Sequence, residues 1–416
     1  MIRAGVAAVD VTPPAGLAMS GFAARTLPAR GAHDPLTVRG LAVEDTAVAV
    51  ADVIGLHHEM SARIRRRCTL PDERVIVAAL HNHGGPVSMP GRLGAKADPD
   101  YLALLEDACV RAIDEAVASQ RPARLHAGLG ADPGVARNRR HSDGPLDRSL
   151  PLLKVCGEDG EVFAVMTGYA CHPVVLGADN TLWTADYPHY VRTALEEAHP
   201  GAVAIFLTGC VGDANTGHTA HASMTLASNP DRSFAAAERI GRGIAAAAMQ
   251  TPSALPLGDH VHAANAQVYL RFESREREAP EALAAAWREE LAGADPLRAA
   301  LLKPWIGWAE TVAGRDMRPL PARVTLLDWG GLPVIGLPGE IFAATALSIR
   351  QAFGSKPLFI AGFAEDNPGY IPPREEYAHG GYEVDEAHRY YGMPATFAPG
   401  CAEVLAGTAI SLVGQR

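Results

Sequence analysis

The stretch VIVAALHNHGGP, residues 75–86, decides the fold class of this chain. Its first half, Val75–Leu80, is a short apolar run rich in β-branched residues, which is typical of a buried strand. The polar residues His81, Asn82 and His83 follow where the chain leaves that strand, and a Gly-Gly-Pro turn comes next. Proteins with α/β folds place ligand sites at this position, outside the carboxyl end of a strand.

The same order of apolar strand and polar loop occurs four more times: Val162–Tyr169 before ACHP, Ala202–Leu207 before TGCVGDANTG, Pro333–Leu337 before PGE, and Leu358–Phe363 before DNPGY. Further strands are predicted at Gln267–Phe272 and Arg323–Asp328. Helices are predicted at Tyr101–Ala118 (capped by Asp98), Tyr187–Glu197, Ser233–Met249 (capped by Asp231), Glu281–Leu291 and Glu340–Phe353. The alternation predicts an α/β fold with a mixed sheet core, flanking helices and a metal site at the strand carboxyl ends.

Composition limits the class of protein. Of 416 residues, 48% are hydrophobic and 20% are charged, which is typical of a globular protein. The net charge of −10 argues against nucleic-acid and anionic-membrane partners. We expect a single domain over residues 1–416, with a possible sub-boundary near residues 251–259, where prolines and a glycine interrupt the pattern.

No apolar run reaches the length of a membrane span, and Asp10 with a Pro-Pro pair interrupts any signal-type segment. We therefore expect a cytoplasmic protein. Six scattered cysteines without a C-x-x-C pair are expected to be free thiols rather than disulfides. The oligomeric state does not follow from the sequence.

The polar loops contain a possible zinc set, because two histidines and a carboxylate leave one coordination position open. His81 and His83 lie two residues apart, so both could bind metal, or one could bind while the other acts beside the bound water. Taken singly, each candidate has an ordinary structural explanation: loop histidines at 81 and 83, a core histidine at 172, and a first-turn helix carboxylate at Glu340.

The segments HNHGGP, ACHP, GCVGDANTG, LPGE and GYIPPREEYAHGGYE, taken in order, resemble the neutral (non-lysosomal) ceramidase family. The opening segments AGVAAVDVTPP, MSGFA and GAHDPLTVRGLAVED are also similar to that family, so the resemblance runs from about residue 4 to about residue 385. It implies an amidase-type site with one zinc ion per chain. It places the zinc ligands at His81, His172, Glu340 and Tyr370, residues implicated in activity at His83 and Arg139, and substrate-side residues at Gly21 and Tyr382. Asp186 matches a family Ser-Asp pair, and we expect it to orient a ligand histidine.

Two departures from the family pattern affect the expected function. Asn215 stands where the family has a serine proposed as nucleophile, and an amide can only donate a hydrogen bond to an oxyanion. A C-terminal β-sandwich domain is not expected here, which weakens ceramide itself as the substrate.

The sequence thus predicts a zinc-dependent hydrolase that cleaves an amide bond of a small molecule by attack of zinc-bound hydroxide. His83 is expected to pass a proton to the leaving amine, and Arg139 and Asn215 to stabilise oxyanion charge or hold a substrate carboxylate. Three alternatives stay open: a zinc esterase or lactonase, a catalytically inactive ceramidase-like binding protein, and a true ceramidase, which requires an apolar channel.

Overall fold

A computed structural model of the chain describes residues 1–93, 96–220, 225–227, 229–252 and 255–414. Its strands are β1 Ile2–Asp10, β2 Gly31–Ala32, β3 Thr37–Val43, β4 Thr46–Ala51, β5 Val75–Ala79, β6 Arg121–Gly130, β7 Arg137–Asn138, β8 Leu150–Cys156, β9 Val162–Tyr169, β10 Leu182–Trp183, β11 Val203–Thr208, β12 Ala214–Asn215, β13 Leu255–Pro256, β14 Val261–Leu270, β15 Phe272–Glu273, β16 Leu320–Trp329, β17 Leu332–Gly336, β18 Glu340–Ile341, β19 Phe359–Ala361, β20 Tyr370–Ile371 and β21 Thr396–Phe397. The helices are α1 His58–Arg67, α2 Pro99–Ala118, α3 Tyr187–Ala198, α4 Phe234–Met249, α5 Pro280–Leu291, α6 Pro296–Val312, α7 Ala343–Phe353 and α8 Cys401–Val413.

The larger sheet has the strand order β11-β9-β8-β6-β1-β3-β4-β5, with β13 paired to β6. The pairs β4–β5 and β9–β11 are parallel, and the pairs between them are antiparallel. The predicted mixed sheet with flanking helices is therefore confirmed. Its central strands are buried because helices and the second sheet cover them, which explains the continuous apolar runs in β4 and β5.

The strands that precede the polar loops lie in two sheets, whereas a single sheet was one possibility raised by the sequence. A smaller sheet has the order β14-β16-β17-β19, with β17 and β19 parallel. Residues just after β19 join the sheets, because the Gly362 amide donates to Thr208 at the end of β11 and the Ala79 amide of β5 donates to Phe363. These contacts bring the carboxyl ends of β5, β11 and β19 together.

The two outermost strands of the larger sheet, β11 and β5, also meet directly. The Thr208 hydroxyl donates to the carbonyl oxygen of Leu80 at a distance of 2.7 Å. The sheet therefore curves far enough for its edges to approach each other, as right-handed strand twist allows. This closure positions the functional site, since loops distant in strand order come to lie side by side.

The helix starts agree with the sequence in some cases and differ in others. Asp98 caps α2 and accepts a hydrogen bond from the Tyr101 amide, as predicted. The cap of α4 is Ser233 rather than Asp231. The helix expected from Glu340 begins at Ala343, because Glu340 pairs with Tyr370 in the short ladder β18–β20.

The chain passes from the larger to the smaller sheet between β13 and β14, within the predicted sub-boundary at residues 251–259; Ser253 and Ala254 lie outside the described residues. The single-domain assignment stays a prediction. All six cysteines are free thiols, as expected. Among the described residues, no helix combines the length and the apolar character that a bilayer crossing requires.

Candidate metal centre

His81 is fixed in place by backbone contacts just after β5. Its amide donates to the carbonyl oxygen of Val53, and its Nδ1 atom lies 2.6 Å from the carbonyl oxygen of Ile54. A carbonyl oxygen can only accept, so Nδ1 carries the proton and Nε2 presents a lone pair. The ring stacks on Phe363, and the residue has a φ of 67°, a left-handed conformation that is strained for a residue with a Cβ atom.

His172 is held in the same way after β9. Its amide donates to the carbonyl oxygen of Ala214, and Nδ1 lies 2.9 Å from the carbonyl oxygen of Val211. Its Nε2 atom lies 2.9 Å from Nε2 of His81. Burial lowers the pKa of His172 to about 4, so the ring is neutral near pH 7. Backbone acceptors on Nδ1 are the usual means of orienting histidine ligands of a metal.

The carboxylate of Glu340 lies close to both of these histidines. Its Oε2 atom lies 3.5 Å from Nε2 of His81 and 3.3 Å from Nε2 of His172. Its other oxygen, Oε1, accepts a hydrogen bond from the Tyr391 hydroxyl.

These three groups fit a divalent cation. Oε2 of Glu340 is buried and has no hydrogen-bond partner, while both facing nitrogens present lone pairs. Two nitrogen lone pairs and a carboxylate repel one another when they point at the same position with no proton between them. A cation at that position removes the repulsion. Two histidines and a carboxylate are a set of donors that binds zinc in proteins, and here the three residues lie at three different strand ends.

His83 lies beside this group but is held differently. Its ring centroid is 5.1 Å from that of His81 and 5.9 Å from that of His172, and the ligand atoms of the three histidines lie within 4.8 Å of one another. Neither ring nitrogen of His83 has a hydrogen-bond partner. Burial, followed by its two histidine neighbours, lowers the pKa of His83 well below its usual value. Three buried histidines could thus hold a metal ion, and only His83 lacks a carbonyl that fixes its tautomer.

Tyr370 and Arg139 form one unit next to the histidines. The Arg139 guanidinium donates to the Tyr370 hydroxyl at 2.9 Å, to the Gly212 carbonyl and to the Glu383 carboxylate. Burial raises the pKa of Tyr370 well above its usual value, and Arg139 opposes that rise. Tyr370 lies opposite Glu340 in the β18–β20 ladder. Its assignment as a fourth ligand stays a prediction.

The Asn215 side chain has hydrogen-bond partners within its own turn. Its amide nitrogen donates to the carbonyl oxygen of His218, and its amide oxygen accepts from the backbone amides of Gly217 and His218. The side chain therefore closes its own turn, and it is absent from the described lining of the adjacent cavity. One of the two N–H groups of the Asn215 amide is thus used locally, and the expected oxyanion contact stays a prediction.

Among the described residues, the Asp186 carboxylate has no hydrogen bond to His81 or His172, and the orienting role expected of it stays a prediction. Its carboxylate accepts from the amides of Val175, Leu176 and Tyr187, so it caps α3 and fastens the loop that follows His172. The Tyr187 hydroxyl holds the other side of that loop through the carbonyl oxygen of Cys171. Backbone carbonyls contact the Nδ1 atoms of both imidazoles directly.

A cavity of about 890 Å³ opens from the histidines. Its lining is mostly apolar and includes His83, His172, Arg139 and both substrate-side candidates, Gly21 and Tyr382. Gly21 also has a structural role: with φ at 102°, a Cβ atom there would lie 2.5 Å from Nδ1 of His83. Only glycine leaves room for the imidazole at this point.

Some contacts of the site did not follow from the sequence. The hydroxyl of Tyr391 donates to Glu340, and Phe363 stacks on His81, yet no local pattern predicts either contact. The whole of α6 was also missed, although it forms one wall of the cavity through residues such as Lys303 and Trp308. The early proline at Pro296 after Asp295 was an available helix-start signal.

The α/β fold of this chain, in which helices flank mixed sheets, has counterparts among solved structures. Two solved structures carry it: the neutral ceramidase from Pseudomonas aeruginosa, and a ceramidase complexed with C2. Each has a TM-score of 0.76 and 18% sequence identity, over 100% of this chain and 75% of the other. No protein-family model matches the chain. The resemblance drawn from the sequence motifs is thus confirmed for the fold.

Proposed function

We propose that this protein is a zinc-dependent hydrolase that cleaves the amide bond of a small N-acyl compound. The observation that carries the proposal is the convergence of Nε2 of His81, Nε2 of His172 and the unpartnered Oε2 of Glu340. The shared fold with two ceramidase structures supports an amide as the scissile bond.

His81, His172 and Glu340 would hold the zinc ion, with Tyr370 as the proposed fourth ligand. A bound zinc ion supplies Lewis acidity, which activates a water molecule and polarises a carbonyl group. His83 is better suited to proton transfer than to ligation, because no carbonyl fixes its tautomer and both nitrogens are free to exchange a proton. Arg139 keeps the Tyr370 hydroxyl in place and presents positive charge to the cavity.

The cavity favours a substrate with an apolar acyl chain. Phe22, Leu27, Leu93, Val174 and Trp308 are among the residues that line it. A volume of about 890 Å³ exceeds what a short acyl group fills. The true-ceramidase alternative required an apolar channel, and this cavity supplies one, so lipid-like amides belong in the first substrate screen.

Metal content is the first test. The purified protein should contain about one zinc ion per chain, and His172→Ala should lose it together with amide turnover. His199→Ala, which changes a histidine at the end of α3, is the matched control and should keep the metal. A well-folded wild-type sample without tightly held metal would sink the zinc-hydrolase proposal.

Amide and ester hydrolysis are separated by His83→Ala. An amine is a poor leaving group without a proton, so this change should reduce amide turnover by about 10²- to 10⁴-fold but spare an activated ester. Equal losses on both substrates would favour the esterase or lactonase. Bound zinc without turnover of either substrate would favour an inactive binding protein.

A further inference from the structure

Arg25 is a buried cation without a carboxylate partner. It is 8% exposed and lines the cavity beside His83. Six other arginine side chains are at least nine-tenths buried, and each contacts a carboxylate: Arg65, Arg92, Arg139, Arg140, Arg192 and Arg389. Among the described residues, Arg25 has no carboxylate oxygen within ion-pair distance, and Asp179 acts on it only from further away.

Part of the hydrogen-bonding capacity of Arg25 is also unused. Nη2 donates to the carbonyl oxygens of Ser20 and His83, while Nη1 has only the thioether sulfur of Met19. Nε is buried and has no acceptor. A guanidinium has five N–H groups, so at least Nε–H and one Nη1–H lack an oxygen partner in the described structure. Leaving charged donors unsatisfied in a buried position is costly, and an anion that reaches Nη1 from the cavity reduces that cost.

The charge of the cavity lining agrees with an anionic ligand. Four cationic side chains line the cavity, namely Arg25, Arg139, Lys303 and Arg389, and the described lining contains no carboxylate. Arg139 and Arg389 are neutralised by Glu383 and Glu276. Arg25 is therefore the buried lining cation whose charge is uncompensated by an ion pair.

We propose that Arg25 binds a carboxylate on the amine portion of the substrate, so that the preferred substrates are N-acyl amino acids rather than neutral amides. This inference rests on the proposed function, because the amine portion of the substrate is placed near Arg25 by the proposed proton transfer from His83 to the leaving amine. The Arg25 guanidinium donates a hydrogen bond to the backbone carbonyl oxygen of His83. The Phe22 ring contacts both side chains: its centroid is 4.8 Å from the guanidinium carbon of Arg25 and 4.8 Å from the centroid of the His83 ring. A carboxylate held by Arg25 thus lies on the side where the leaving amine receives its proton.

The test compares hydrolysis of N-octanoylglycine with that of N-octanoylglycinamide, its neutral counterpart. The zinc-loaded wild type should show a kcat/KM about 10- to 100-fold higher on the carboxylate, because charge-assisted hydrogen bonds contribute that much. Arg25→Gln should remove the preference mainly through KM, and Arg25→Lys should keep part of it. Lys303→Gln is the matched control, since Lys303 is an exposed cation of the same cavity, and it should keep the preference.

A binding measurement separates failure of this inference from failure of the proposed function. N-(octylsulfonyl)glycine and its neutral carboxamide resist hydrolysis, and their binding can be followed by calorimetry. The inference is supported if the wild type binds the carboxylate probe more tightly than the carboxamide probe, and if Arg25→Gln or Arg25→Lys weakens that binding. This holds even in a protein that hydrolyses neither amide. Equal affinity for both probes in the wild type overturns it, as does a preference lost equally in Lys303→Gln. If Arg25→Gln does not fold, the wild-type and Arg25→Lys comparisons still decide the outcome.

Discussion

The two sides of the cavity are built in different ways. One side includes His172, which lines the cavity, and its neighbours His81 and Glu340, which lie outside the described lining. All three follow strand ends, are almost fully buried, and are held by backbone carbonyls or a tyrosine hydroxyl. On the other side, α5 and α6 form a helical hairpin with its own small hydrophobic cluster around Trp287, separate from the main core. Chemistry is thus tied to the sheets, whereas the wall that shapes the cavity is an appended unit.

This difference implies that metal binding and substrate choice can be changed separately. Ligands fixed by backbone carbonyls move only if the strand ends move. A hairpin that packs mainly through its own cluster can open or change shape at lower cost than the sheets. The following predictions challenge or refine that separation.

The largest effect is expected for Gly21→Ala. The added Cβ would collide with the His83 ring and would also stand at an unfavourable φ, so His83 must move. Amide turnover should fall by at least about 10²-fold, while zinc content stays near one ion per chain. Gly91→Ala is the matched control, because Gly91 lines the same cavity at positive φ but has open space where the Cβ would be. Loss of zinc in Gly21→Ala would show that His83 is a ligand.

Trp308→Ala tests the independence of the hairpin. Trp308 is buried in the α5–α6 cluster and donates from its indole nitrogen to the Met393 carbonyl. Removing such a side chain costs about 3–5 kcal/mol of local stability. Hydrogen exchange should rise over residues 280–312 and stay slow in β5 and β9, and zinc content should be unchanged. A parallel rise in both sheets would mean that the hairpin and the core unfold together.

Tyr391→Phe probes the support of Glu340. The hydroxyl donates to Oε1 of Glu340, and its loss leaves that carboxylate free to rotate. Zinc affinity measured by competition with a chelator should weaken by about 10- to 100-fold, as for other residues that orient metal ligands. Tyr390→Phe is the control, since Tyr390 also borders the cavity. Equal affinities in Tyr391→Phe and wild type would argue against Glu340 as a ligand.

Asp186→Ala should have the smallest effect on the metal. Asp186 caps α3 and holds the loop after His172, so its loss should lower the free energy of unfolding by about 1–2 kcal/mol. Zinc affinity should change less than in Tyr391→Phe, because backbone carbonyls still orient both histidines. Chemical denaturation and chelator competition on the same sample measure both quantities. A larger loss of zinc affinity than in Tyr391→Phe would restore a direct role for Asp186.

The sequence by itself determined the fold class and the main site loops. Apolar strands such as β5 and β9 were predicted within a residue, because their β-branched runs and the turn residues after them are local signals. The same strand-end rule selected His81, His172, Glu340 and Tyr370, and motif resemblance added Arg139.

Only the tertiary structure decided how these residues meet. The division into two sheets and the contact between β5 and β11 depend on long-range hydrogen bonds such as that from Thr208 to Leu80, which no local pattern encodes. The local hydrogen bonds of Asn215 and Asp186 could not be predicted for the same reason, their expected roles stay predictions, and Arg25 was missed. The type of a residue limits what its side chain can bind, but the packing of distant segments decides which atoms become its hydrogen-bond partners.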